Sequence, residues 1–231
     1  MNSLINYLVG YEAKRKRLLK KVPYGPLHDF LSVPFPTLNT PIAELPILAV
    51  DFETTGLNAK TDKLLSVGFV SLEQEQIKLN SCYHQIINTK VQLEESNVII
   101  HHITDAQKEQ GQPLHLVVEQ LLKALAGKVM LVHFARIERQ FLQQACLKLY
   151  GLVPDFPMID TLVIAKRQLD KRDVAYDPSE LRLSNLRNNY QLPPHHGHDA
   201  LNDAIATAEL LLAQITAKTS TDKVLLKDII L

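Results

Sequence analysis

Within the apolar run from Ile47 to Phe52, Asp51 stands alone as an acid, and Glu53 follows two positions later. Unpaired charge is expensive to bury, so two carboxylates in a strand-like run need a reason. Side chains alternate faces along a strand, which points both acids the same way. Their attachment points then lie roughly 6.5 to 7 Å apart. Carboxylates so placed can jointly hold a divalent cation, because hard cations take oxygen ligands. The competing reading is that the strand ends here and the acids meet solvent or a cationic side chain. The next residues, Thr54, Thr55 and Gly56, favour a ligand site, since glycine lets backbone approach a ligand closely.

Two further groups carry potential chemistry. His198 precedes a helix expected to start near Asp199, and Asp203 lies one turn inside it, so the two can face one cleft. An aspartate there also suits the helix dipole, and the nearby His195 and His196 read as members of a solvated loop. Glu138 sits early in a helix after an apolar strand, either facing that cleft or pairing on the surface with Arg136 or Arg139. Asp160, in Ile159-Asp160-Thr161-Leu162, reads as a cap of the helix that follows rather than as a metal ligand.

The elements that must position these residues follow from periodicity. Residues 45–53, 63–72 and 78–87 read as strands. A mostly helical stretch spans about residues 94 to 126, interrupted near Gly111 to Pro113. A short strand over 129–134 precedes a helix over 135–150 that Gly151 closes. Residues 156–160 suit a short fifth strand, and helices follow at 161–169, 181–190 and 199–218. Strands first, then alternating helices and strands, predict an α/β fold with a mixed sheet covered on both faces.

The chain divides into an N-terminal helical and linker extension (1–44), a main domain (45–217) and a C-terminal tail (218–231). Prolines at 23, 26, 34, 36 and 41 mark residues 22–41 as a connecting segment. With 231 residues, 46% apolar and 22% charged, the chain is long enough for one domain with a sizeable core. A formal net charge of zero excludes whole-molecule attraction to phosphate, so any such attraction is local. The basic run Lys14 to Lys21 is the place for it, either as a holder of nucleic acid or a partner or as a solvated helix face. Cys82 and Cys146 fall outside any zinc-like spacing and fit a reducing, cytoplasmic setting. No apolar run reaches membrane-spanning length, and the N-terminus lacks a signal-peptide pattern.

Taken together, these pieces resemble the DEDDh family of 3′–5′ exonucleases, which includes the epsilon proofreading subunit of bacterial DNA polymerase III and ribonuclease T. The motif D-x-E-T-T-G is met by residues 51–56, H-N-x-x-F-D-x-x-F-L by 133–142, and H-x-A-x-x-D by 198–203. Weaker matches lie between them at 99–104 and 159–167, and the resemblance covers about residues 45 to 215. One departure stands out: Glu138 replaces the second-motif aspartate, and Phe134 an asparagine.

The resemblance implies a ribonuclease H-like five-stranded mixed sheet flanked by helices. It also implies a site with two divalent ions, Mg2+ or Mn2+, that clamp attacking and leaving oxygens at phosphorus. Asp51, Glu53 and Asp203 would be the metal ligands, Glu138 would take the fourth acid position, and His198 would be the general base. Thr54, Thr55, Gly56, Leu57 and His101 would meet the terminal nucleotide. The expected substrate is a 3′ end of single-stranded DNA or RNA, and the expected product is a nucleoside 5′-monophosphate. The alternative, prompted by Glu138, is a nucleic-acid-binding or assembly module that keeps the fold with little turnover.

Overall fold

The computed structural model describes residues 2–89, 103–172, 175–217 and 224–231. Its centre is a five-stranded sheet in the order β3-β2-β1-β4-β5. The strands are β1 (Ile47–Thr54), β2 (Leu64–Glu73), β3 (Gln76–Ile86), β4 (Val129–Val132) and β5 (Met158–Asp160). β1, β2 and β3 pair antiparallel, whereas β4 runs parallel to both β1 and β5. The C-terminal ends of β1, β4 and β5 therefore share one edge of the sheet, the edge where open α/β sheets place their ligands.

Alternation along β1 builds the two layers. Leu48, Val50 and Phe52 face one core with α2 (Pro26–Ser32), α4 (Leu114–Leu125) and α5 (Arg136–Tyr150). Ile47 and Ala49 face the other, with α8 (Ala200–Thr216) and α9 (Leu226–Ile229). Asp51 and Glu53 continue the second series, so this face changes from apolar to acidic as β1 approaches the edge. Small residues stand opposite them on β2: Gly68 pairs with Asp51, and Ser66 with Glu53.

Gly68 sets the closeness of α8. A Cβ there would lie 2.2 Å from the backbone of Ala200 and Leu201, so only glycine lets the helix start rest on the sheet. Ala204 and Ala208, both fully buried, extend this close packing along α8. The helix itself begins at the expected point, with the Asp199 side chain accepting from Asn202 N–H.

The remaining helices are α1 (Asn2–Leu19), α3 (Asp105–Glu109), α6 (Thr161–Arg172) and α7 (Leu183–Asn189). Of the helical stretch expected at 94–126, the part up to residue 102 lies outside the described residues. The proline-rich segment read as a connector contains α2, which Pro26 starts from its first turn. Leu27, Phe30 and Leu31 of α2 are each 1% exposed and belong to the same core as β1. At the other end of the chain, Ile159 bridges Ile230, and Leu231 N–H donates to Met158 O. No described helix is long and apolar enough to cross a membrane.

Candidate active site

The ligand oxygens of Asp51, Glu53 and Asp203 lie within 4.8 Å of one another, the grouping that the sequence motifs anticipate. β1 supplies two of the acids, and the first turn of α8 lays the third over them. Glu138 arrives from the other layer on α5. It is 3% exposed, beside the buried Ile137, Phe141 and Leu142, so the surface pairing with Arg136 or Arg139 does not form. Its Oε2 is buried without a hydrogen-bond partner. Arg139 instead directs Nε to Met158 Sδ.

The acids raise one another. Burial pushes the Asp51 carboxyl well above its ordinary range, and the charges of Glu138, Asp203 and Glu53 push it further. Burial does the same to Glu138, with Asp160 and Glu53 adding to it. Asp203 is pushed up to about 7, first by burial and then by Glu53 and Asp199, against the opposing His198 N–H. Mutually repelling, partly desolvated carboxylates with an orphaned oxygen among them form a donor set suited to hard divalent cations. The acid cluster thus implies divalent-metal use.

Two buried or strained features hold Glu138 in place. Asp160, 3% exposed, accepts from Phe134 N–H at 3.1 Å, Ala135 N–H at 2.8 Å and Leu162 N–H at 2.9 Å. It caps the following helix as expected and also takes the free N–H groups at the start of α5, a role the sequence did not reveal. Phe134 is held there at φ 72°, a left-handed conformation unusual for an aromatic residue, and the residue is 42% exposed.

His198 enters the site through its backbone. At φ 65° it turns the chain so that its N–H donates to Asp203 Oδ2 at 2.8 Å, while its side chain is exposed. His195, read from sequence as loop solvation, brings its ring to the acid: its Nε2 stands 3.0 Å from Asp203 Oδ1. Only the fold could separate it from His196 and His198, because three histidines in four residues look alike in sequence.

Thr54 to Leu57 form the rim. Thr54 Oγ1 donates to Gly56 O, and Thr55 exchanges hydrogen bonds with Lys63. A Cβ on Gly56 would lie 2.5 Å from an Asp62 carboxylate oxygen, so this glycine makes room for Asp62. Leu57 is 71% exposed, available to a ligand. His101 lies outside the described residues.

The likenesses of this chain agree with this geometry. It is 30% identical over 165 residues to a DNA polymerase III PolC-type of Thermotoga petrophila, a match covering 71% of this chain and 11% of that one. It is 25% identical over 164 residues to the 3′-5′ exonuclease DinG of Staphylococcus haemolyticus, covering 71% of this chain and 17% of that one. The chain therefore spans only a small part of these relatives. Among solved structures, cell-death related nuclease 4 superposes with a TM-score of 0.66 at 17% identity, over 76% of this chain and 65% of that chain. The nuclease domain of 3′hExo, a DEDDh family member bound to rAMP, superposes with a TM-score of 0.64 at 15% identity, over 78% of this chain and 96% of that chain. These superpositions show the ribonuclease H-like exonuclease fold. The family described as exonuclease (RNase T) matches residues 48–211, which include the acid cluster and its supports, and the chain belongs to that family.

Proposed function

We propose that this chain is a metal-dependent 3′–5′ exonuclease that releases nucleoside 5′-monophosphates from single-stranded DNA or RNA. One observation carries the reading: three carboxylates within 4.8 Å at the edge where parallel strands end, in a chain of the exonuclease family. Asp51, Glu53 and Asp203 hold two Mg2+ or Mn2+ ions, with Glu138 as the fourth acid. When bound, such ions polarise the phosphate and favour ionisation of the attacking water. His198 takes the proton from that water, a role suited to an imidazole that is open to solvent. Leu57 packs against the terminal base, and the backbone of Thr54, Thr55 and Gly56 lines its sugar and phosphate.

The test is a set of end-labelled single- and double-stranded DNA and RNA oligonucleotides, incubated with Mg2+ or Mn2+ and resolved by length over time. Stepwise shortening from the 3′ end is expected, stopped by a chelator. His198→Ala should slow it by roughly 10²- to 10⁴-fold. Tight binding with no mononucleotide release by the natural protein would replace this reading with that of a binding module.

A further inference from the structure

Leu57, four positions after Glu53, lines a hollow of about 770 Å³ between the loop after β1 and α5. Helix α5 presents Arg136, Gln140, Gln143 and Gln144 to it, spaced as one helix face. Val153, just past the end of α5, is part of the lining. Beyond it, Gln143 Nε2 donates to Pro154 O at 3.1 Å, and Asp155 is paired with Lys14 of α1, Nζ to Oδ2 2.9 Å. The hollow therefore lies between the loop that follows the acids of β1 and the segment that anchors the N-terminal helix, which lies outside the family-matched residues 48–211.

Packing sorts the side chains of α1. Tyr11, Arg15 and Val22 are buried, and Arg15 spends its guanidinium on Glu12 and on Leu31 O, so it is not part of an exposed basic run. Lys14 and Arg17 are exposed one turn apart on α1, and Lys21 is exposed in the turn just after it, a basic stripe beginning at Asp155. Lys14 is committed to Asp155, whereas Arg17 and Lys21 carry no ion pair among the described residues. Three residues further on, Tyr24 is 93% exposed, its ring 4.6 Å from that of His28. The whole chain balances 25 basic against 25 acidic residues, so the unpaired Arg17 and Lys21 are a local feature. Cations that follow a backbone beside an exposed aromatic platform are the equipment of single-strand binding.

We propose that the hollow and the basic stripe along and just after α1 form a track for the 5′ portion of a single-stranded nucleic acid whose 3′ end occupies the acid cluster. Arg17 and Lys21 meet its phosphates, and Tyr24 stacks on a base. The proposal rests on the exonuclease reading for its polarity and can fail separately from it. The test uses the full chain and oligothymidylates of two and twelve nucleotides. Binding of the fluorescein-labelled twelve-mer is followed by anisotropy in chelator over a range of salt. KM and kcat for both lengths are measured with Mn2+.

Arg17→Gln/Lys21→Gln should weaken twelve-mer binding about tenfold at low salt and flatten the salt slope by about 1.4, the contribution of two phosphate contacts on a single strand. Tyr24→Ala should weaken it about fivefold or more. The ratio of dinucleotide to twelve-mer KM should fall about tenfold in the double variant, and Arg17→Lys should retain most of the binding. These side chains are exposed, so unfolding temperatures report that the fold is kept. An unchanged affinity and salt slope would overturn the track. So would an equal rise in KM for both lengths, which marks a diffuse field. A chain that hydrolyses nothing yet shows the expected binding losses keeps the track and loses the exonuclease reading.

Discussion

At the scale of single residues, the site places charge where the fold alone would not choose it. Asp203 has a value near 7 in the folded chain against 3.8 ordinarily, so the folded state holds its proton more tightly than the unfolded one. That stabilisation is complete below pH 4 and is lost as pH rises through 7. Asp51 and Glu138 are shifted the same way. The protein in chelator is therefore expected to lose stability between about pH 4 and 7. Asp203→Asn should flatten that loss and gain at most about 4 kcal/mol at pH 8. Denaturant melts across pH check it, and a natural protein whose stability rises over this window would contradict it. Glu138→Gln should likewise stabilise the fold while cutting turnover severely, since it removes a buried charge at nearly constant shape. Glu138→Asp should also be slower, because the shorter carboxylate retreats from the position the site was built around. Single-turnover rates with metal decide; a faster Glu138→Asp would mark the natural glutamate as a defect.

At the scale of elements, the site depends on contacts between segments far apart in sequence. Gly68 is the clearest case. Gly68→Ala forces a Cβ into the backbone at the start of α8, so the helix must lift from the sheet and carry Asp203 with it. A loss of about 1 to 3 kcal/mol is expected, the range of overpacked cores. Metal affinity measured by calorimetry should fall more than in a variant of equal instability made elsewhere in the core. Equal affinities would mean that α8 adapts. The sequence could not announce this role, because Gly68 lies in an ordinary strand pattern and its partner is 132 positions away. Asp160 was half legible for the same reason: its cap of α6 is local, whereas its hold on α5 spans about 25 residues. By contrast, β1, α5 and α8 were readable because alternation, helical spacing and caps are written within each segment. Asp51, Glu53 and Asp203 came with them. The burial of Glu138 was hidden because Arg136 and Arg139 flank it in sequence, yet neither pairs with its free oxygen and Arg139 turns to Met158.

At the scale of the whole molecule, the segments outside the exonuclease match complete its two cores. α2 buries Leu27, Phe30 and Leu31 against β1 and α4, and the Phe30 ring lies 5.4 Å from that of Phe156. On the other face, Leu226, Ile229 and Ile230 pack with Ile47 and Leu131. The two flanks also meet each other: Ile42 N–H donates to Val224 O, and Leu226 N–H to Thr40 O. A proline-rich stretch that reads as a connector thus works as half of a clasp, because proline at the first helical turn costs no hydrogen bond. A fragment of residues 48–211 leaves apolar surface on both faces of the sheet without cover. It is expected to be insoluble or to lack a cooperative melt, although it retains all four acids. Within the full chain, Phe30→Ala should cost about 3 to 5 kcal/mol, the usual loss for a large buried ring. The same substitution should leave metal affinity nearly unchanged under conditions where the variant is folded, since α2 touches the core side of β1, whereas Asp51, Glu53 and Asp203 lie on the opposite face. Calorimetric unfolding and metal titration on one sample test both halves. A soluble fragment with a sharp melt, or a Phe30→Ala protein as stable as the natural one, would mean that the flanks decorate the exonuclease fold and do not complete it.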